Sequence, residues 1–197
     1  MGGTFDPIHF GHLVAADEAL VQFNLDRVVF MPTGQPVRKT HRHVSSAEDR
    51  YLMTVIATAS NPDFEVSRME IDRPGDTYTV DTMTALRAQY GAGAELFFIT
   101  GADAVREILT WKDADRFIGL CTFIAATRPG YDTGLSAASA VALPPAVEYM
   151  EVPALAISSS DIRERVRTRR PVRYLLPEAV ASYIDKNGLY GEPGADI

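Results

Sequence analysis

The sequence predicts a single α/β domain with a mainly parallel, doubly wound sheet and helices on both faces. Short apolar runs alternate with stretches of helical periodicity along most of the chain. The clearest apolar run, residues 95–100, is bounded by glycines, as a buried strand would be. No internal repeat or low-complexity linker interrupts this alternation. Strands separated by helices pair in parallel, because each helix returns the chain to the edge where the next strand begins.

Composition limits the class of protein. The 197 residues are 46% hydrophobic and 23% charged, which predicts one globular domain over residues 1–197. The net charge of −7 argues against a nucleic-acid or membrane-surface binder, which is usually basic. A single cysteine, Cys121, excludes an internal disulfide and fits a reducing compartment. No apolar run approaches a membrane span and no signal peptide is visible, so we expect a cytoplasmic protein.

In the first half of the chain, apolar periodicity and boundary residues indicate each element. Residues 11–23 have helical spacing, and residues 27–31 are typical of a short buried strand. The sequence SSAE over 45–48 fits a capping box that opens a helix to about residue 60. Residues 64–71 predict a strand, and a Pro-Gly turn then leads into a helix that ends at Tyr90.

The second half continues the alternation. Gly101 and Asp103 follow the strand 95–100 and precede another helix, at the carboxyl end where open α/β sheets bind ligands. Residues 122–126 and 147–152 predict two more strands. The Ala-, Ser-, Gly- and Pro-rich residues 130–146 between them predict a variable connection. Helices follow from Ser158 and Pro177, and we expect the tail over 188–197 to fray.

Residues 2–12 have the features of an anion site. The adjacent Gly2 and Gly3 let backbone N–H groups approach an anion closely, and the helix start that follows adds unpaired donors and a positive dipole end. His9 and His12 are three residues apart on the first helical turn, so they face the same side. We therefore hypothesise a phosphate site with two imidazoles aimed at the phosphorus.

Other interpretations of this motif exist. A tight turn uses Gly-Gly equally well. His-x-x-His is also half of a zinc site, for which the chain offers His41 and His43 as further histidines and Cys121 as its single cysteine. A glycine turn of this kind normally follows a strand that aims it, yet no strand-like run precedes Gly2. The sequence thus predicts either that the first strand is truncated or that the sheet lacks a central strand.

Three further segments each have an ordinary and a functional interpretation. Residues 32–44 form either a solvated loop or a loop that carries Arg38 or Lys39 over an anionic ligand. A single tryptophan such as Trp111 is most often a core residue, although it can also contact a ligand. The serines of residues 158–160, with Arg163, either cap a helix or cradle a polyphosphate.

Two of these motifs together resemble the HxGH and ISSxxIR motifs of the nucleotidyltransferase superfamily. GGTFDPxHxGH over residues 2–12 matches the first, and ISSSDIR over 157–163 matches the second with serine where threonine is common. Lys39, residues 73–79 (RPGDTYT), residues 101–103 and Trp111 resemble the bacterial nicotinate-nucleotide adenylyltransferases. The loop GQPVRK over 34–39 departs from the more frequent Pro-Pro-His-Lys of that family.

This resemblance implies a Rossmann-like fold and a reaction. ATP and nicotinate mononucleotide would give deamido-NAD and pyrophosphate, with Mg²⁺ held mainly by the ATP phosphates rather than by protein ligands. A sister transferase that acts on nicotinamide mononucleotide or phosphopantetheine is one alternative. A nucleotide-binding module without turnover is the other. The expected partners are small molecules, with no nucleic acid or membrane, and the sequence leaves a homo-oligomer open.

The resemblance also implies roles for individual residues. The catalytic residues would be His9, His12, Arg163 and Lys39, with the imidazoles on the α-phosphate, Arg163 on the β- and γ-phosphates and Lys39 between the two substrates. The ATP site would comprise Gly2, Gly3, Thr4, Phe5, Gly11, Gly101, Asp103, Ile157, Ser158, Ser159 and Ser160. Nicotinate mononucleotide would contact Tyr78, Thr79, Trp111 and Lys39, with the pyridine ring stacked on Trp111.

Overall fold

The computed structural model describes residues 1–35, 44–102, 104–105, 111, 113–127, 147–153 and 156–191. Within these residues, one three-stranded sheet has the order β1-β2-β3, made of β1 (Gly2–Gly3), β2 (Val28–Pro32) and β3 (Phe64–Val66). A second has the order β4-β5-β6, made of β4 (Phe97–Gly101), β5 (Thr122–Thr127) and β6 (Val147–Glu151). Every strand pair that the structure describes is parallel, as the alternating pattern predicts.

Helices connect these strands. In the described part of the chain they are α1 (Phe10–Gln22), α2 (Ala47–Thr58), α3 (Thr79–Tyr90), α4 (Ala114–Ile118), α5 (Ser159–Arg167) and α6 (Glu178–Lys186). None of the helices described is long and apolar enough to cross a membrane.

The strands direct alternate side chains to opposite faces, and each face has its own core. Ile99 and Ile124 enter a larger apolar cluster that also contains residues of α1, α2, α5 and α6. Their neighbours Phe98 and Phe123 enter a smaller cluster with residues of α3 and α4. This two-residue alternation places helices on both faces of the strands and confirms the predicted doubly wound arrangement.

The structure shows a short strand at the two glycines themselves. Gly2 and Gly3 form the short strand β1, paired with Met31 and Pro32 of β2. β1 also lies beside β4, since a Cβ on Gly2 would sit 3.3 Å from Cε2 of Phe98. Periodicity could not indicate β1, because two glycines carry no side-chain pattern.

Three other boundaries differ from the prediction. The strand from Phe64 ends at Val66, and residues beyond it form turns. Helix α2 is capped by Ser46, whose hydroxyl accepts from the backbone N–H of Asp49 at 3.0 Å, one residue later than the predicted capping box. At the start of the tail, Leu189 and Tyr190 pack against the larger cluster. Residues 130–146 and 192–197 lie outside the described residues.

Candidate active site

The turn between β1 and α1, residues 3–7, is held by side chains from distant segments. The carbonyl oxygen of Gly3 accepts a hydrogen bond from Thr33 Oγ1 at 3.2 Å, and that of Thr4 accepts from Arg50 Nη1 at 2.9 Å. The carbonyl of Asp6 accepts from Arg163 Nη1 at 2.6 Å, and that of Pro7 accepts from Ser159 Oγ at 2.8 Å. We call this segment the N-terminal turn. Its Phe5 has φ of 50°, a left-handed conformation that costs a non-glycine residue on the order of 1 kcal/mol. The surrounding donors offset that cost.

The two histidines lie together directly after the turn. Their rings stack with centroids 3.8 Å apart and planes 25° apart, as the three-residue spacing predicts. The backbone N–H of His9 donates to Nδ1 of His12 at 3.3 Å. An Nδ1 that accepts places the proton of a neutral imidazole on Nε2, which makes Nε2 the donor of His12. The ring of Phe5 meets His12 edge-on at 5.1 Å and supports that orientation.

His9 is buried, with 5% of its surface exposed. Burial lowers the pKa of His9 from 6.5 to about 4, because a charged imidazole would lose its hydration. His9 is therefore neutral at neutral pH. The His9 ring faces the backbone N–H of His12, as in a capping box, but among the described residues no hydrogen bond to its Nδ1 is formed. A buried polar atom in this state is costly unless a ligand satisfies it, which favours a functional role over a structural one.

The starts of α1 and α5 converge on the N-terminal turn. A Cβ on Gly11 would lie 3.9 Å from the carbonyl oxygen of Ile157 and 3.1 Å from Nδ1 of His9, so glycine permits this approach. Helix N-termini carry unpaired N–H donors and the positive end of the helix dipole. Two such ends beside two imidazoles form a site suited to a polyphosphate.

The first turn of α5 both caps its helix and binds the N-terminal turn. The hydroxyl of Ser158 caps α5 by accepting from the backbone N–H of Asp161 at 3.1 Å. Ser159 and Arg163 bind the N-terminal turn through the bonds given above, and Nη2 of Arg163 also lies 3.4 Å from Ser160 Oγ. Ordinary capping is therefore confirmed for Ser158. Arg163 contacts the N-terminal turn, and the polyphosphate interpretation of this segment stays a prediction.

A cavity of about 1000 Å³ adjoins the N-terminal turn. Its lining includes Gly2, Gly3, Thr4, Thr77, Tyr78, Thr79 and Trp111, and it continues along β2 and β4 to residues 23–28 and 93–96. Neither histidine and no described residue of α5 lines it, so the cavity meets the N-terminal turn only at Gly3 and Thr4. The Trp111 ring lies parallel to that of Phe117, with centroids 5.8 Å apart, and edge-on to that of Phe98. Trp111 thus packs on the smaller apolar cluster while also facing the cavity, so the structure agrees with part of each interpretation.

A buried carboxylate forms part of the cavity wall. Glu70 is 7% exposed and accepts a hydrogen bond from Thr82 Oγ1 at 2.7 Å. Thr82 Oγ1 in turn accepts from Nη1 of Arg73 at 3.0 Å. Burial raises the pKa of Glu70 above its usual value. The hydrogen bond from Thr82 and the positive charge of Arg73 act in the opposite direction but are smaller effects. This network ties the segment 73–79 to helix α3, at the end where Tyr78 and Thr79 meet the cavity.

The structure gathers most of the residues that the sequence singles out. One group lies on β1, on the N-terminal turn and at the starts of α1 and α5; its members are Gly2, Gly3, Thr4, Phe5, His9, Gly11, His12, Ile157, Ser158, Ser159, Ser160 and Arg163. Tyr78, Thr79 and Trp111 line the cavity, which shares Gly2, Gly3 and Thr4 with that group. Gly101 ends β4 at an exposed position. Lys39 and Asp103, with Arg38, His41 and His43, lie outside the described residues.

Sequence reasoning missed several residues that hold the site. Asp6 is buried, and its carboxylate accepts from the hydroxyl of Tyr190 at 2.7 Å. Arg50 donates to the carbonyl of Thr4 although it lies in a helix far along the chain. The signal for Arg50 is periodicity, because it occupies the same helix face as the buried Met53 and Ala57, where a charge is unusual.

No cluster of three or more His, Cys, Asp or Glu side chains that could hold a metal ion occurs in the described part of the chain. The donors gathered around the N-terminal turn are instead N–H and O–H groups. Groups of this kind are typical of anion sites.

Comparison with known proteins assigns the family. The sequence profile of the cytidylyltransferase-like family matches residues 1–165. A Streptomyces coelicolor protein named "Probable nicotinate-nucleotide adenylyltransferase" is 59% identical over 193 residues, covering 96% of this chain and 98% of that protein. A Moorella thermoacetica protein of the same name is 56% identical over 194 residues, covering 96% and 89%.

A solved structure has the same fold. The Plasmodium falciparum nicotinic acid mononucleotide adenylyltransferase complexed with NaAD superposes with a TM-score of 0.79, at 18% identity, over 96% of this chain and 94% of that one. The chain therefore belongs to the cytidylyltransferase-like family, and within it to the nicotinate-nucleotide adenylyltransferases.

The burial of His9 predicts a pH dependence of stability. Its pKa falls from about 6.5 in the unfolded chain to about 4 in the fold, so protons bind the unfolded state preferentially within that window. His9 should therefore cost the fold up to about 3 kcal/mol as the pH falls from 6.5 to 4. Urea unfolding of wild type and His9→Gln across this range should show a shallower decline in the variant. Equal slopes would contradict the prediction.

Proposed function

We propose that this protein transfers the adenylyl group of ATP to nicotinate mononucleotide, forming deamido-NAD and pyrophosphate in NAD biosynthesis. The observation that carries the proposal is the identity of 56–59% to relatives of that name over nearly the whole chain. The gathering of the stacked histidines and two helix starts beside a large cavity supports it from the geometry. The cytoplasmic location expected from the sequence is part of the same proposal.

The reaction needs positioning more than protein chemistry. A phosphate oxygen of nicotinate mononucleotide attacks the α-phosphorus of ATP in line. As that P–O bond forms, the bond from the α-phosphorus to the bridging oxygen of the β-phosphate breaks, and pyrophosphate leaves. No protein nucleophile takes part. The enzyme contributes by aligning the two phosphates and by stabilising the charge that develops on the α-phosphoryl oxygens.

The histidines and helix starts would supply that stabilisation. His12 would donate from Nε2 to an α-phosphoryl oxygen, since its Nδ1 already accepts from the backbone of His9. The neutral, buried His9 would support the ring of His12 by stacking and offer its own ring nitrogen to the ligand. The starts of α1 and α5, with Arg163, would bind the rest of the triphosphate. Mg²⁺ would enter with ATP, so that MgATP is the substrate.

The cavity would hold the acceptor. Trp111 would present a flat aromatic surface to the pyridine ring, supported from behind by Phe98 and Phe117. Helix α3 begins at Thr79 on the cavity wall, where its first backbone N–H groups would donate to the nicotinate carboxylate. The amide of nicotinamide offers an NH₂ group in place of one acceptor oxygen. A site built from N–H donors therefore selects the acid.

An acceptor panel tests the proposed function. Pyrophosphate release from MgATP should be fastest with nicotinate mononucleotide, slower with nicotinamide mononucleotide and absent with phosphopantetheine, because only the first acceptor matches the donors at α3. A preference for either of the other acceptors would establish the sister transferase. No release with any of the three would favour the module without turnover.

His12→Ala should lower kcat by about 10²-fold or more, the scale of losing one donor to the transition state. The exposed Val21, on the same helix, provides a matched control, and Val21→Ala should retain wild-type turnover. Steady-state pyrophosphate release and circular dichroism on both variants separate loss of chemistry from loss of fold. Near-normal kcat in folded His12→Ala would rule out the proposed role.

Trp111→Ala should raise KM for nicotinate mononucleotide more than KM for ATP, since the stacking surface is lost only to the acceptor. Trp111→Phe should recover much of that affinity, because a smaller aromatic ring remains. Steady-state titration of each substrate at saturating concentrations of the other measures the split. An equal rise in both KM values, with reduced stability, would assign Trp111 to the core alone.

A further inference from the structure

Arg50 is the most deeply buried charged side chain in the described part of the molecule, with 1% of its surface exposed. Its guanidinium donates to three backbone carbonyls, which are those of Thr4 (2.9 Å from Nη1), Gly34 (2.8 Å from Nη2) and Ser45 (3.1 Å from Nε). The planar fork of arginine fixes the mutual positions of these oxygens, as a flexible ammonium would not.

The three carbonyls belong to three separate segments around the proposed site. Thr4 lies in the N-terminal turn. Gly34 follows β2 and packs so closely that a Cβ there would overlap the carbonyl oxygen of Glu70. Ser45 precedes α2, and its own N–H lies 3.4 Å from the carboxylate of Asp6, again in the N-terminal turn. Arg50 thus links the N-terminal turn to the segments at Gly34 and Ser45, which are distant from the turn in sequence.

Filling space in the core does not by itself account for a cation here. Burial lowers the pKa of Arg50, while the charges of Asp6, Tyr190 and Glu70 oppose that shift. Removing a guanidinium from water is costly, and apolar side chains of similar volume often replace buried ions without loss of stability. The neighbouring face of α2 is already filled by Met53 and Ala57. What an apolar residue could not supply is directional bonding to three carbonyls.

We propose that Arg50 is a positioning residue for adenylyl transfer, which holds the N-terminal turn so that His12 meets the α-phosphate. The proposal rests on the proposed function above. The path is short, because Thr4 precedes Phe5, and the edge of the Phe5 ring contacts the ring of His12. A shift of the Thr4 carbonyl would therefore move the imidazole. Displacement of a catalytic group by about 1 Å can cost about 10²-fold in rate.

Arg87 offers a matched control. It too donates from its guanidinium to three backbone carbonyls, those of Gly91, Ala94 and Leu120, but these lie beyond the C-terminal end of α3. Arg50→Lys, Arg50→Ala and Arg87→Ala are compared by urea unfolding, by steady-state kinetics with MgATP and nicotinate mononucleotide, and by ¹⁵N NMR of the His12 imidazole. Guanidinium chloride below denaturing concentrations is added to each variant as a rescue agent.

All three variants should be less stable than wild type. Both Arg50 variants should lose about 10²-fold in kcat, with smaller changes in KM, whereas Arg87→Ala should keep wild-type kcat. Guanidinium should restore kcat to Arg50→Ala, where it fills the vacated volume, but not to Arg50→Lys or His12→Ala. In the Arg50 variants the His12 ring should lose its single Nε2–H tautomer, a change absent from Arg87→Ala.

Other outcomes overturn the proposal. Unchanged kcat in a folded Arg50 variant would leave Arg50 a structural residue, as would failure of both Arg50 variants to fold while Arg87→Ala folds. The NMR signature separates this result from failure of the proposed function. If wild type turns over no acceptor, the His12 tautomer still reports whether Arg50 orients that ring, and an unaltered tautomer would contradict the inference.

Discussion

The site depends on hydrogen bonds from distant side chains to the backbone carbonyls of one short turn. Residues 3–7 place Phe5 in a left-handed conformation that an isolated peptide would rarely keep. Four carbonyls of the turn are bound by side chains from the segment after β2, from α2 and from α5. A strained backbone persists only where its surroundings over-determine it. Because α1 starts at the end of this turn, the positions of both histidines follow from it.

This arrangement suits a reaction without a protein nucleophile. Transfer of an adenylyl group is accelerated by donors that are already in place when charge develops. Imidazole N–H groups and helix N-termini are such donors, and they need little reorganisation on binding. Burial keeps His9 uncharged near neutral pH. The side chains that support the turn, Ser159 and Arg163, lie on the first turn of α5, so the position of this helix start and the geometry of the turn are linked.

Local patterns in the sequence were enough for the architecture. Apolar periodicity located α1, β2, β4, β5 and β6 to within a few residues, because each is long enough to bury a face. Periodicity failed for β1, which has no side chains to pattern, and for the segment around Tyr190, whose order comes from contact with Asp6, 184 residues earlier. Periodicity also gave Arg50 no special role, although its position on the apolar face of α2 marks it as a buried charge.

The sequence by itself determined the alternation of strands and helices, the two motifs at opposite ends of the chain and the family to which they belong. These depend on residue type and spacing, which are local. Only the tertiary structure decided that Arg163 and Ser159 of the second motif bind backbone carbonyls of the first. It also decided that Arg50 and Tyr190 bind the N-terminal turn from other parts of the chain. Carbonyl groups are identical in every residue, so no sequence pattern marks which of them a distant guanidinium or hydroxyl will bind.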